Sequence, residues 1–96
     1  MKPSLALTLH KSAIVSVVER HHSRNPRVFG SVLRGGDEEG SDLDLLVDAL
    51  PGATLFDLGA IQVELEALLG VPVDVLTPGD LPARFRDVVV REAVSV

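Results

Sequence analysis

Asp42-Leu43-Asp44-Leu45-Leu46-Val47 places two carboxylates at the head of an otherwise apolar run. Leu43, Leu45 and Val47 alternate with Asp42, Asp44 and Leu46, the period-two pattern of a strand with one polar end. Side chains two apart on a strand share a face, with Cα atoms roughly 6.5–7 Å apart. Carboxylates held this close repel, and each resists ionising beside the other. A hard divalent cation removes that penalty, and Mg²⁺ is commonly held by one or two carboxylates together with substrate phosphates.

Asp74 is the candidate for a third acid. It is the only carboxylate in the apolar run Val71-Pro72-Val73-Asp74-Val75-Leu76, and a charge there needs a partner or a metal. Three carboxylates suit a site for two ions roughly 3.5–4 Å apart, the usual arrangement for phosphoryl and nucleotidyl displacement. Capping a turn or pairing with an arginine are the structural alternatives for Asp74. Upstream, Phe29-Gly30-Ser31 leaves a strand at a glycine and presents a hydroxyl and backbone N–H groups. If Ser31 opens a short helix through Arg34, its free N–H groups and dipole face an anion. Arg34 either adds charge toward a triphosphate or pairs with a nearby carboxylate.

The rest of the chain supplies a scaffold. Between about Leu7 and His22 the spacing predicts a helix with Ile14, Val17, Val18 and His21 on one stripe. Ser23-Arg24-Asn25-Pro26 reads as a stop, and Arg27-Val28-Phe29 as a short strand. Residues 35–41 are a polar, glycine-rich loop in which Asp37, Glu38 and Glu39 read as solvated. Thr54, with Asp57 three residues on, caps a helix that stops at Gly70 and turns Leu58, Ile61, Leu65 and Leu68 to the core. Pro72 confines its strand to an edge, or itself to the strand's start. After the Thr77-Pro78-Gly79-Asp80 turn, a last helix runs from near Pro82 through Phe85, Val88 and Val89. The order is α, β, β, α, β, α with a possible short terminal strand: an α+β fold, one small sheet packed with helices in a single domain over 1–96.

Composition narrows the function. With 96 residues, no cysteine and a formal charge of −5, the chain offers no thiolate site and no basic face for general nucleic-acid binding. Three Phe, no Tyr and no Trp leave little for stacking bases. No apolar run approaches the ~18 residues a membrane span needs, and the faintly leader-like start is interrupted by His10 and Lys11. A cytoplasmic location is expected.

Gly30-Ser31, ten residues, then Asp42-x-Asp44 resembles the signature of the DNA polymerase β-type nucleotidyltransferase superfamily. The string Gly-Ser-Val-Leu-Arg-Gly…Ser-Asp-Leu-Asp-Leu-Leu-Val is similar to its minimal nucleotidyltransferase branch, which includes the antitoxins of HEPN-domain toxins. Pro72-Val73-Asp74-Val75-Leu76 and Arg91-Glu92-Ala93-Val94 extend the resemblance over nearly the whole chain. The resemblance implies a polymerase β-like fold with a mixed sheet. It also implies that Asp42 and Asp44 hold Mg²⁺ (two ions) and triphosphate, that Asp74 completes the metal site and helps activate the attacking hydroxyl, and that Gly30 and Ser31 hold phosphate. The implied reaction is transfer of AMP from ATP to a tyrosine of a HEPN-type partner toxin. This chain has no tyrosine, so such an acceptor lies on another molecule.

Competing motifs fail on spacing. No Ca²⁺-loop run precedes a glutamate at the required distance, and the Lys-Ser/Thr of a P-loop is absent after Gly35. His10, His21 and His22 lack the i, i+4 spacing of a helical metal pair. Two functional alternatives remain beside the enzyme: a non-catalytic antitoxin that binds nucleotide for structure, and a nucleotidyltransferase acting on small molecules of the antibiotic kind.

Overall fold

The computed structural model describes residues 1–96. In chain order the elements are α1 (Pro3–Leu9), α2 (Lys11–Arg20), β1 (Ser23–Phe29), β2 (Leu43–Ala49), α3 (Leu55–Leu69), β3 (Val73–Leu76), a 3-10 turn (Pro78–Asp80), α4 (Ala83–Glu92) and β4 (Val94–Ser95). One four-stranded mixed sheet has the order β3-β2-β1-β4. Strand β1 runs antiparallel to β2 and β4, while β2 and β3 are parallel. Parallel neighbours need a crossover, and α3 supplies it. The α+β class, the mixed sheet and the short terminal strand are as expected from sequence.

Alternation along β2 decides which way the acidic end faces. Leu43, Leu45 and Val47 are wholly buried and pack in one cluster with Val28 of β1 and Val73 of β3. Ile14, Val17 and Val18 of α2 and Ile61, Leu65 and Leu69 of α3 close that cluster from above. Fully burying one such side chain stabilises by roughly 1.5–3 kcal/mol, so the register of β2 is strongly fixed. A one-residue slip would turn Asp44 into this core. Asp44 thus projects from the other face, the one on which Leu46 is also buried.

Local chemistry sets the ends of these elements. Pro3 occupies the first turn of α1, where a missing N–H costs nothing. The Thr54 N–H donates to Asp57 Oδ2 at 2.8 Å at the head of α3, and Gly70 ends α3 in the left-handed conformation at φ 70.

Four details differ from the sequence expectation. The first helix is two, because the backbone leaves helical geometry at His10 (φ −129, ψ 26). Strand β1 starts at Ser23 rather than Arg27: Asn25 takes φ 56 at a bulge between Arg24 and Arg27, so the stop signal is an irregularity inside the strand. Leu69, not Leu68, completes the buried face of α3, and Leu68 is exposed. Asp37 is not a solvated loop residue. It is buried and accepts a 2.8 Å bond from the Ser4 N–H, tying the glycine-rich loop to the start of α1.

Candidate active site

Asp44 lies in register with two residues at once. Across the antiparallel ladder it faces Phe29, and across the parallel ladder it faces Asp74. The Leu43 N–H donates to the Pro72 carbonyl at 2.8 Å, and the Val73 N–H donates to Glu66 Oε2 at 3.0 Å. These bonds fix the starts of β2 and β3 side by side. Pro72 precedes the edge strand β3, the position its missing N–H tolerates.

The electrostatics of the pair follow from that placement. Asp44 is half-buried, while Asp42 and Asp74 are exposed. Burial, then the charges of Asp74 and Asp42, and finally a hydrogen bond with Asp74 push the Asp44 carboxyl up to about 6. No arginine, lysine or histidine pairs with any of the three acids, so the arginine pairing considered for Asp74 is not realised. As the side chains stand, the three carboxylates do not close around a single point as a group able to hold a metal ion. Their chemistry nevertheless fits one: three hard oxygen donors with no cationic partner, the middle one resisting ionisation.

Gly30 ends β1 beside this cluster with φ 77, and a Cβ built on it would lie 2.2 Å from Asp44 Oδ2. Backbone and carboxylate therefore approach more closely than any side chain at 30 permits. Beyond it the short helix expected from Ser31 through Arg34 does not form, and residues 30–35 are a hydrogen-bonded turn instead. The Arg34 N–H donates to the Gly30 carbonyl (3.2 Å), the Gly35 N–H to Val32 (3.2 Å) and the Gly36 N–H to Ser31 (3.0 Å). No carbonyl accepts from the N–H groups of Ser31, Val32 or Leu33, which are left free as in the first turn of a helix. Arg34 is exposed and makes no ion pair. Gly30, Ser31 and Arg34 thus form one turn on one flank of Asp44, with Asp74 on the other.

Two features were not legible in the sequence. Phe29 and Phe85, remote in the chain, line a common groove with Leu33, Arg34, Val88 and Val89, although aromatic scarcity had suggested no such surface. Arg86 donates to three carbonyls, Nε to Pro78 (2.8 Å) and Nη2 to Leu81 (2.9 Å) and Gly79 (3.4 Å). It clamps α4 to the 3-10 turn that follows β3. An unpaired arginine in an amphipathic helix carries no sequence signal of that kind.

An acidic cluster thus stands at the head of a parallel strand pair, flanked by a glycine-led turn with free N–H groups. The profile of the nucleotidyltransferase domain matches residues 12–96, and the chain belongs to that family, as a minimal nucleotidyltransferase of the polymerase β superfamily. Among its relatives, the protein adenylyltransferase MntA of Thermococcus cleftensis is 39% identical over 90 residues, covering 94% of this chain and 88% of the relative. A Methanocaldococcus jannaschii chain named by inference as a protein adenylyltransferase is 37% identical over 86 residues, or 90% and 92% of the two chains. A solved structure described provisionally as a minimal nucleotidyltransferase superimposes with TM-score 0.86 at 43% identity, over 97% of this chain and 95% of the other. A chain from a crystallised toxin–antitoxin with AMP-PNP shares the fold alone, at TM-score 0.74 and 18% identity over 88% and 70% of the two chains. No helix is long and apolar enough to cross a membrane.

Proposed function

We propose that this chain is a Mg²⁺-dependent adenylyltransferase that moves AMP from ATP to a hydroxyl on a partner protein, a tyrosine of a HEPN-type toxin in an antitoxin setting. The observation that carries the proposal is the alignment of Asp44 with Asp74, beside Asp42 and against Gly30, with no cation to balance the acids. Adenylyltransferase names among the relatives support the donor and the reaction type. The toxin–antitoxin fold neighbour supports a protein partner.

Each residue then has a role. Asp42, Asp44 and Asp74 would hold the divalent ions, which when bound supply charge neutralisation on the phosphates and orientation of the reacting oxygens. The N–H groups of Ser31, Val32 and Leu33 donate to phosphate oxygens, the approach being open because Gly30 has no side chain. Arg34 adds a positive charge on the same flank. The acceptor oxygen bonds to the α-phosphorus, the bond between that phosphorus and the α–β bridging oxygen breaks, and pyrophosphate leaves. Asp74, exposed at the sheet edge, would accept the hydroxyl proton. The chain has no tyrosine of its own, so the modified phenol must come from outside.

The test is transfer of label. With ATP labelled on the α-phosphate, Mg²⁺ and a HEPN-type partner, label is expected on the partner. Asp42→Asn with Asp44→Asn should abolish transfer while leaving the complex intact. Wild-type protein that never labels the partner would overturn the catalytic claim. A double variant that still neutralises the partner fully would favour a non-catalytic antitoxin.

A further inference from the structure

The groove between α4 and the turn that ends β1 has no role in the reading above. Its volume is 370 Å³, within the range of roughly 300–1,000 Å³ typical of small-molecule sites. Phe29 and Phe85 line it, two of the three phenylalanines in the chain. Phe85 is 48% and Val88 43% exposed, and no residue of α4 is fully buried. Arg84 lies 4.6 Å from the centre of the Phe85 ring and steadies it through a cation–π contact.

Position decides what such a groove takes. Gly30, Leu33 and Arg34 belong to its wall, and none of Asp42, Asp44 and Asp74 does. Its occupant therefore sits beside the turn assigned to phosphate and off the carboxylates that receive the attacking hydroxyl. A group tethered to the phosphates meets that condition. The walls are apolar and aromatic, suited to a flat ring with a π-face. One carboxylate, Glu92, lines the groove and forms no ion pair with Arg34 or any other residue. A carboxylate accepts hydrogen bonds only, so it favours a ring bearing an exocyclic amino group over the same ring without one.

We propose that this groove holds the nucleobase of the bound nucleotide, packed against Phe29 and Phe85, with Glu92 accepting a hydrogen bond from an exocyclic amino group of the base, as on adenine. The inference rests on the metal–nucleotide reading of the adjoining site and adds the source of its base specificity.

Calorimetric titration of the full chain in Mg²⁺ separates the two. Wild type is expected to bind Mg·ATP more tightly than both the Mg complex of purine riboside triphosphate, which lacks the amino group, and Mg·tripolyphosphate, which has no base. Phe85→Ala should weaken Mg·ATP about tenfold and leave Mg·tripolyphosphate unchanged. Glu92→Gln, on an exposed position, should narrow the gap between ATP and the purine analogue without altering tripolyphosphate binding. If Phe85→Ala and Glu92→Gln leave ATP affinity and the ratio of ATP to analogue affinity as in wild type, the base lies elsewhere while the phosphate reading stands. If wild type binds neither ATP nor tripolyphosphate, the phosphate reading fails and the groove assignment fails with it.

Discussion

Gly30 stands directly against the Asp44 carboxylate: a Cβ on Gly30 would fall 2.2 Å from Asp44 Oδ2, so any side chain there must displace that carboxylate. The glycine is also held at φ 77, a conformation that costs an L-residue roughly 1–2 kcal/mol. Two independent constraints therefore fix the same residue, one on the backbone and one on the neighbouring carboxylate. Gly30→Ala should lower the unfolding free energy by about 1–2 kcal/mol, measurable by urea denaturation. It should reduce nucleotidyl transfer far more, because the methyl group displaces the Asp44 carboxylate from its place beside Gly30. A variant that melts lower yet transfers at the wild-type rate would show that the close approach is only structural.

Asp44 makes the folded state pH-sensitive in a direction opposite to most carboxylates. Its folded value, pushed up to about 6 from 3.8, means that the unfolded chain gives up this proton first as pH rises. The Asp44 contribution therefore destabilises progressively between pH 3.8 and about 6 and is level above that. Asp44→Asn should remove the slope and raise stability at pH 7.5. After allowance for solvent screening at a half-buried site the gain is about 1 kcal/mol, or a melting temperature roughly 4–8 °C higher. Saturating Mg²⁺ should stabilise the wild type and leave this variant nearly unmoved. A lower melting point for Asp44→Asn at pH 7.5 would refute the unfavourable electrostatics.

Asp37 has the contrary sign. The Ser4 N–H bond holds its carboxyl below the usual carboxylate range despite its burial. The stability it contributes is present above pH 3.8 and is lost as pH falls through its lower folded value. Asp37→Ala should melt at a lower temperature at neutral pH, with faster amide exchange in α1. Unchanged exchange in residues 3–9 would show that the loop does not anchor that helix.

Arg86 joins α4 to the turn after β3 through three carbonyl contacts. Hydrogen bonds from a charged group contribute about 1.5–3 kcal/mol. Arg86→Ala should lose a comparable amount in thermal melts and open α4 to limited proteolysis before the sheet. Arg86→Lys, with a single point charge in place of a fork, should recover only part of this.

The placement of the β2 acids was readable from one alternation: Leu43, Leu45 and Val47 buried in the main core, Asp42 and Asp44 on the opposite side of the strand. Gly30 and the capping pair Thr54–Asp57 were legible for similar reasons, each being a residue type that its position demands. What stayed hidden depended on tertiary contact. The Asn25 bulge was read as a chain stop, because a left-handed residue before proline looks the same in a turn and in a strand. Asp37 looked solvated because its partner, the Ser4 N–H, lies at the other end of the first helical pair. Phe29 and Phe85 gave no joint signal, since their meeting depends on how α4 folds back across the sheet.

Titration of the Asp44 carboxyl by ¹³C NMR, with and without Mg²⁺, tests the site most directly. The account predicts a midpoint near the raised value of about 6 in metal-free protein, falling when Mg²⁺ is added as the cation favours the ionised form. It also predicts a lower midpoint in Asp74→Asn, where the facing charge is gone. A midpoint near 3.8 that ignores both Mg²⁺ and Asp74→Asn would contradict a shared metal site on Asp42, Asp44 and Asp74.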